Sequence, residues 1–232
     1  MRKINIAIDG YAGCGKSTLA RDLAKALNYI FVDSGAMYRG ITLFLLEKGV
    51  DITSSAAVAE ALAERPELSF ANENNHLFLS GREVEALIRG DQAVANSVSD
   101  VAALPEVRDY LKVQQQAFVA KKGVVMEGRD IGTVIMPSAE LKLFITASID
   151  ERVRRRSNDL LGRGESVDDD AIRNNLQERD RKDATRAEAP LCKAKDAIAL
   201  DSTHFDRVGQ LEAALAMARP LIDPESLLPF IP

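Results

Sequence analysis

Cysteine and histidine occur only twice each, tryptophan not at all, and the formal net charge is −5. Cys14 and Cys192 lie far apart and belong to no CxxC or histidine-rich cluster, which removes a disulfide framework and a structural zinc site from consideration. His76 and His204 are too isolated to form a ligand set and read as incidental. The missing tryptophan excludes nothing by itself. The acidic balance argues against wholesale nucleic-acid binding, which draws on a basic patch large enough to displace condensed counterions. Asp, Lys or Glu interrupts every long apolar run, so no span of about 20 residues could cross a bilayer. Met1-Arg2-Lys3 enters an alternating apolar segment at once, without the longer apolar stretch of a signal peptide, and a cytoplasmic protein is expected. No NKxD motif occurs, which counts against a guanine-reading switch.

What is present is ordinary for a globular protein, with 46% hydrophobic and 28% charged residues among 232. That length suits one large domain or a core with insertions. Ile4, Ile6 and Ile8 predict a short strand buried on both faces and ending at Asp9-Gly10. After a glycine-rich loop, Leu19, Leu23 and Leu27 recur every four residues, the apolar stripe of a helix packed on a sheet. Further strands are predicted at 29–32, 124–126, 141–146 and 197–200, with helical patterns between most of them. That alternation implies an α/β fold, a parallel sheet flanked by helices. Residues 62 to 98 break it: Leu68-Ser69-Phe70, the turn Asn72-Glu73-Asn74-Asn75, and Leu77-Phe78-Leu79 read as a small antiparallel β insertion. The core is then 1–61 and 99–222. A closing helix over 206–218, with Val208, Leu211 and Leu215 inward, precedes a tail at 223–232.

Gly10-Tyr11-Ala12-Gly13-Cys14-Gly15-Lys16-Ser17 matches G-x-x-x-x-G-K-[ST]. In such a loop the glycines let successive backbone N–H groups converge on phosphate oxygens. Lys16 is placed to reach the outer phosphates and Ser17 to ligate magnesium. A glycine turn that merely joined strand to helix would not explain the lysine. A helix N-terminus is already partly positive, so a cation there is unfavourable unless an anion binds. The pattern implies nucleotide binding without choosing between a GTPase, a motor and a small-molecule kinase.

Segments beyond the loop bear on that choice. Asp33-Ser34-Gly35-Ala36-Met37-Tyr38-Arg39 opens a helix that Ser34 can cap, with the Arg39 guanidinium about one turn in. Val124-Val125-Met126-Glu127-Gly128-Arg129-Asp130 brings two acids and an arginine to the carboxyl end of a strand, where ligands collect in open α/β sheets. From Arg152 to Arg186 lie nine arginines and one lysine. Arg152, Arg155 and Arg156 fall on adjoining faces of a helix, where unpaired they repel one another. Residues 151–167, with the flexible Gly162-Arg163-Gly164, are therefore expected to form a lid that closes over a triphosphate and excludes water. Asp168-Asp169-Asp170 then starts another helix.

The segments DSGAMYRG, EGRDIGTV and RDRKDATRAEAPL resemble the bacterial cytidylate kinase family, and the resemblance runs from the phosphate loop to Asp201-Ser202-Thr203. The phosphate loop is shared with many other families; these three segments are specific. The resemblance implies a nucleoside monophosphate kinase that transfers the γ-phosphate of ATP to CMP or dCMP, with Mg²⁺, as a monomer and without a nucleic-acid or membrane partner. It implies that the 62–98 insertion lies on the monophosphate side. It puts Gly10, Tyr11, Ala12, Gly13, Cys14, Gly15, Lys16, Ser17, Thr18 and Arg152 at ATP, and Ser34, Arg39, Ser99, Arg108, Arg129, Asp130, Arg179 and Asp183 at CMP. Lys16, Arg129, Arg155, Arg156 and Arg179 are the candidate catalytic cations, and Glu127 could hold a magnesium-bound water. A kinase for UMP, AMP or a sugar acid, and a regulatory module that binds ATP without transferring it, are the rival readings.

Overall fold

The computed structural model describes residues 2–71, 75–162 and 164–223. The chain divides into two compact units, 1–31 with 121–232 and 32–120, the boundary running through the second strand. In chain order, strand β1 (Asn5–Gly10) leads into helix α1 (Lys16–Leu27), then β2 (Ile30–Asp33), α2 (Ser34–Glu47) and α3 (Ser55–Leu62). Next come β3 (Leu68–Ala71), β4 (His76–Leu79), β5 (Arg82–Glu83), α4 (Glu85–Gly90), α5 (Gln92–Val101) and α6 (Pro105–Val119). The chain continues with β6 (Val124–Gly128), β7 (Leu141–Thr146), α7 (Ile149–Leu161), α8 (Asp169–Thr185), β8 (Ile198–Asp201) and α9 (Arg207–Ile222).

The main sheet has the order β2-β6-β1-β7-β8. Strand β1 runs parallel to both β6 and β7, with Ile8 opposite Glu127 on one side and Leu143 on the other, and β7 runs parallel to β8. Every residue of β1 is buried, Asn5 and Asp9 included, as expected of a strand inside a parallel sheet with both faces covered. Ile4, Ile6 and Ile8 pack with Leu19 and Leu23 of α1, Leu143 and Ile145 of β7, and Ala214 and Ala218 of α9. Each isoleucine or leucine among them contributes about 1.5–3 kcal/mol when fully buried.

The closing helix turns a different face inward from the one its larger apolar residues suggest. Val208 stays 63% exposed, whereas Gln210, Ala214, Ala218 and Ile222 are buried. Their four-residue spacing makes one stripe, and its two alanines let α9 come close to α1. Leu211 and Leu215 flank the stripe and are partly buried against the core.

The second unit holds the antiparallel sheet β3-β4-β5, with Phe70 opposite Leu77 and Phe78 opposite Glu83. The expected insertion at 62–98 falls inside this unit, which extends on either side of it through α2, α3, α5 and α6. Gly40 is where α2 meets the sheet: a Cβ there would lie 2.8 Å from Leu77 Cδ2. Helix α2 is capped by Asp33, whose carboxylate accepts from Ala36 N at 2.8 Å. Ser34, the expected cap, is instead the first helical residue, because Asp33 holds the extended conformation that a cap requires. Asn72 to Asn74, Arg163 and the tail beyond Asp223 lie outside the described residues.

Candidate active site

The loop from Gly10 to Lys16 is shaped by its backbone. Gly10 has φ +145°, and a Cβ there would come within 2.0 Å of Ile145 O, so only glycine fits between β1 and β7. Helix α1 then starts without a side-chain cap, which leaves its first N–H groups for a ligand. Lys16 is buried, and its Nζ donates to Tyr11 O at 2.6 Å. Burial, followed by the Arg129 charge, holds the Lys16 pKa below the usual lysine range. Cys14 is buried and donates its thiol hydrogen to Tyr11 O. Thr18 faces outward on the first turn of α1.

Two acids flank this loop. Ser17 Oγ donates to Glu127 Oε1 at 2.6 Å, so a hydroxyl and a buried carboxylate meet beside the lysine. Hard oxygen donors of this kind suit Mg²⁺, which takes one or two protein ligands and completes its shell with phosphate and water. Among the described residues no cluster of three or more His, Cys, Asp or Glu could hold a metal without such help. Asp9, the second acid, accepts from Ile131 N at 2.8 Å and Gly132 N at 2.7 Å, which fixes the short π-type turn 131–135 behind Asp130. Burial raises Asp9 from 3.8 to about 6 against the pull of these two amides, and Asp130 adds to the rise.

The carboxyl end of β6 and one face of α8 carry the remaining charges of this unit. Arg129 Nε donates to Asp183 Oδ2 at 2.7 Å. Burial works against the Arg129 charge, but Asp183 and Glu127 more than offset it and raise its pKa. Half-buried Arg179 has no ion pair among the described residues, and burial, then Arg129, lowers its pKa. Exposed Arg156 presses on it further. Lys16, Arg129, Arg156 and Arg179 thus form a set of cations coupled by repulsion, which a polyanion would relieve.

The other arginines of α7 and α8 are paired, in contrast to the mutual repulsion expected of Arg152 and Arg155. Arg152 is buried and forms an ion pair with Asp180. Arg154 and Arg155 both hold Glu151 at 2.7 Å, and Arg154 first, then Arg155, keeps that carboxyl far down at about 2. Arg155 also reaches Cys14 O at 3.2 Å and Ser202 O at 2.6 Å.

In the second unit, Ser34 is buried at the start of α2 and Arg39 is half-buried on the same helix. Helices α5 and α6, which carry Ser99 and Arg108, both pack on α2. Arg108 is buried, with its guanidinium 5.7 Å from the Tyr38 ring centre and Nη1 donating to Ala102 O. Arg129, Asp130, Arg179 and Asp183 belong to the first unit.

Four charged residues escape a reading of the sequence. Arg186, with 9% of its side chain exposed, lies 3.3 Å from Asp130 Oδ1 and 3.8 Å from Asp183 Oδ1. Its signal is its place in the segment RDRKDATRAEAPL, three residues past Asp183, which does not name its partners. Asp9 reads as the end of a strand, and Asp180 as one more charge on a polar helix. Arg89 Nη2 pairs with Asp33 at 2.7 Å, and its Nε with Glu85 at 2.9 Å. Nothing local marks the pairing with Asp33.

The cytidylate kinase family model matches residues 6–218. The chain is 47% identical over 212 residues to the cytidylate kinase of Phocaeicola vulgatus, covering 88% of this chain and 92% of that one. It is 43% identical over 222 residues to the cytidylate kinase of Cytophaga hutchinsonii, covering 94% of each. Among solved structures, an uncharacterised protein of Eubacterium ventriosum superposes with TM-score 0.50 at 14% identity, over 96% of this chain and 99% of that one, a likeness of fold alone.

Proposed function

The chain belongs to the cytidylate kinase family, and we propose that it transfers the γ-phosphate of ATP to CMP or dCMP, releasing ADP and CDP or dCDP. The observation that carries the reading is the row of cations in which Arg129 repels Lys16 and Arg179, and Arg156 repels Arg179, beside an uncapped helix start. Two polyanions must be brought together for this reaction, and such a set lowers the cost of doing so.

The acceptor phosphate is ionised at neutral pH, so no strong general base is required. Catalysis comes from aligning the acceptor oxygen with the γ-phosphorus and from neutralising charge that develops there. The backbone of Gly10 to Thr18, apart from the Ala12 amide that Asp180 engages, cradles the ATP phosphates, and Lys16 reaches the outer ones. Ser17 and Glu127 would hold Mg²⁺, which supplies charge neutralisation on the phosphates when bound. Arg129 and Arg179 grip the acceptor phosphate in two-pronged contacts that lysine cannot imitate. Arg155 and Arg156 belong to the lid side of the transferring group.

Asp130 is a suitable acceptor for the exocyclic amino group of cytosine, where uracil would present a carbonyl. Asp183 is assigned to the sugar hydroxyls. Ser34 and Arg39, which lie in the segment DSGAMYRG, and Ser99 and Arg108 are assigned to CMP by the family resemblance. Polar readout of this type rejects wrong analogues by up to about 10⁴–10⁵.

The test is ADP release from ATP and Mg²⁺ with CMP, dCMP, UMP, AMP and GMP offered in turn. Fast turnover with CMP and dCMP is expected. Preference for another acceptor would refute the cytosine assignment, and turnover independent of any acceptor would refute the kinase reading.

A further inference from the structure

Tyr11, Ala12 and Gly13 are gripped by the two helices α7 and α8. Asp180 Oδ1, on α8, accepts from Ala12 N at 3.0 Å. Arg152 Nη1, on α7, donates to Ala12 O at 3.1 Å and also to Asp180 Oδ2. The Ala12 peptide groups are therefore bracketed on both sides by an ion pair whose members pair with each other. The Ala12 methyl packs with Val153 of α7 and Leu176 of α8. The Arg152 guanidinium lies 5.4 Å from the Tyr11 ring centre. A Cβ on Gly13 would sit 3.4 Å from Leu176 Cδ2 and 3.5 Å from Arg152 Cβ.

We infer that Asp180 and Arg152 are positioning residues that hold the phosphate loop in its nucleotide-ready shape, so that Arg152 acts on ATP through the loop rather than by touching it. The inference rests on the nucleotide reading of the loop and goes beyond it. Engaging the Ala12 N–H with Asp180 removes that amide from the phosphate cradle and fixes the backbone just before the amides that remain. A loop ordered before binding does not have to be ordered at the expense of ligand affinity.

The experiment is a double-mutant cycle on MgATP affinity, measured by calorimetry, with the KM for CMP and thermal melts recorded for each protein. Asp180→Ala is expected to weaken MgATP binding by about tenfold, the loss of a charge-assisted hydrogen bond, with the CMP KM unchanged. Asp180→Asn keeps an acceptor for Ala12 N and should lose less; it also serves if the alanine variant does not fold. Arg152→Ala should add no further loss in the Asp180→Ala background. A lower melting temperature with unchanged MgATP affinity would overturn the inference by reducing the bracket to a fold-stabilising contact. So would a full additional loss from Arg152→Ala, which would mean that Arg152 touches the nucleotide. Failure of the wild-type protein to bind MgATP would instead sink the nucleotide reading itself.

Discussion

Ser17 and Glu127 are joined by a 2.6 Å hydrogen bond that ties the first turn of α1 to the carboxyl end of β6. The two residues are 110 positions apart in the chain and become neighbours because β1 and β6 pair in parallel, with Ile8 opposite Glu127. Their oxygens are the donors we assign to Mg²⁺.

Glu127→Gln should therefore lower turnover by roughly 10², the scale on which one preorganised electrostatic group contributes. The Mg²⁺ concentration needed for half-maximal rate should rise as well. A magnesium titration of initial rates checks this, and an unchanged titration curve would remove Glu127 from the metal assignment.

Arg129 and Asp183, with 19% and 16% of their side chains exposed, depend on one another. Asp183→Ala takes an acidic partner from both Arg129 and Arg186, so it should cost about 3 kcal/mol of unfolding free energy. Urea denaturation measures that loss, and the KM for CMP should rise in the same variant. A stability within experimental error of wild type would mean that water replaces the carboxylate.

Asp9 makes stability depend on pH in the opposite sense from a salt-bridged acid. Its pKa is raised from 3.8 to about 6, so the folded state holds a proton that the unfolded chain has released over that window. The stabilisation is fully present below 3.8 and is lost as pH rises through about 6. The contribution is on the order of 3 kcal/mol. Asp9→Asn should flatten the wild-type slope across this range in urea melts at stepped pH. Parallel slopes for the two proteins would place the Asp9 pKa near its ordinary value.

Gly10→Ala should abolish the soluble fold or cost more than about 3 kcal/mol, because the new methyl meets the backbone oxygen of Ile145, not a side chain that could move. Expression and circular dichroism settle it.

Asp33→Ala should cost about 1–2 kcal/mol through the lost cap of α2. Asp33→Asn retains a capping oxygen and should cost less, since it gives up only the ion pair with Arg89, whose side chain is 36% exposed. Equal losses in urea melts would assign the effect to the ion pair.

Periodicity and motif place most of the architecture without coordinates. The β1 isoleucines, the α1 leucines and the later apolar runs mark strands and helices because burial on a sheet demands those spacings. The phosphate loop is legible because its glycines and lysine have few other reasons to occur together. The inward face of α9 is not legible from Val208, since leucine and valine spacing reports hydrophobicity, while the close approach to α1 is made by Ala214 and Ala218. Ser34 suits a cap by residue type, but the neighbouring Asp33 competes for the same role and takes it.

The sequence by itself determined the α/β class, the phosphate loop and the family, because these rest on local spacing and on runs of residues that few other folds need. Tertiary structure alone decided which charges neutralise one another. Arg152 chose Asp180, Arg155 chose Ser202, and Arg186 settled between Asp130 and Asp183, while Arg179 came to lie within the repulsion of Arg129. Electrostatic energy depends on distances and burial between residues remote in the chain, so no pattern along it could separate the arginines that find a distant acidic partner from those that do not.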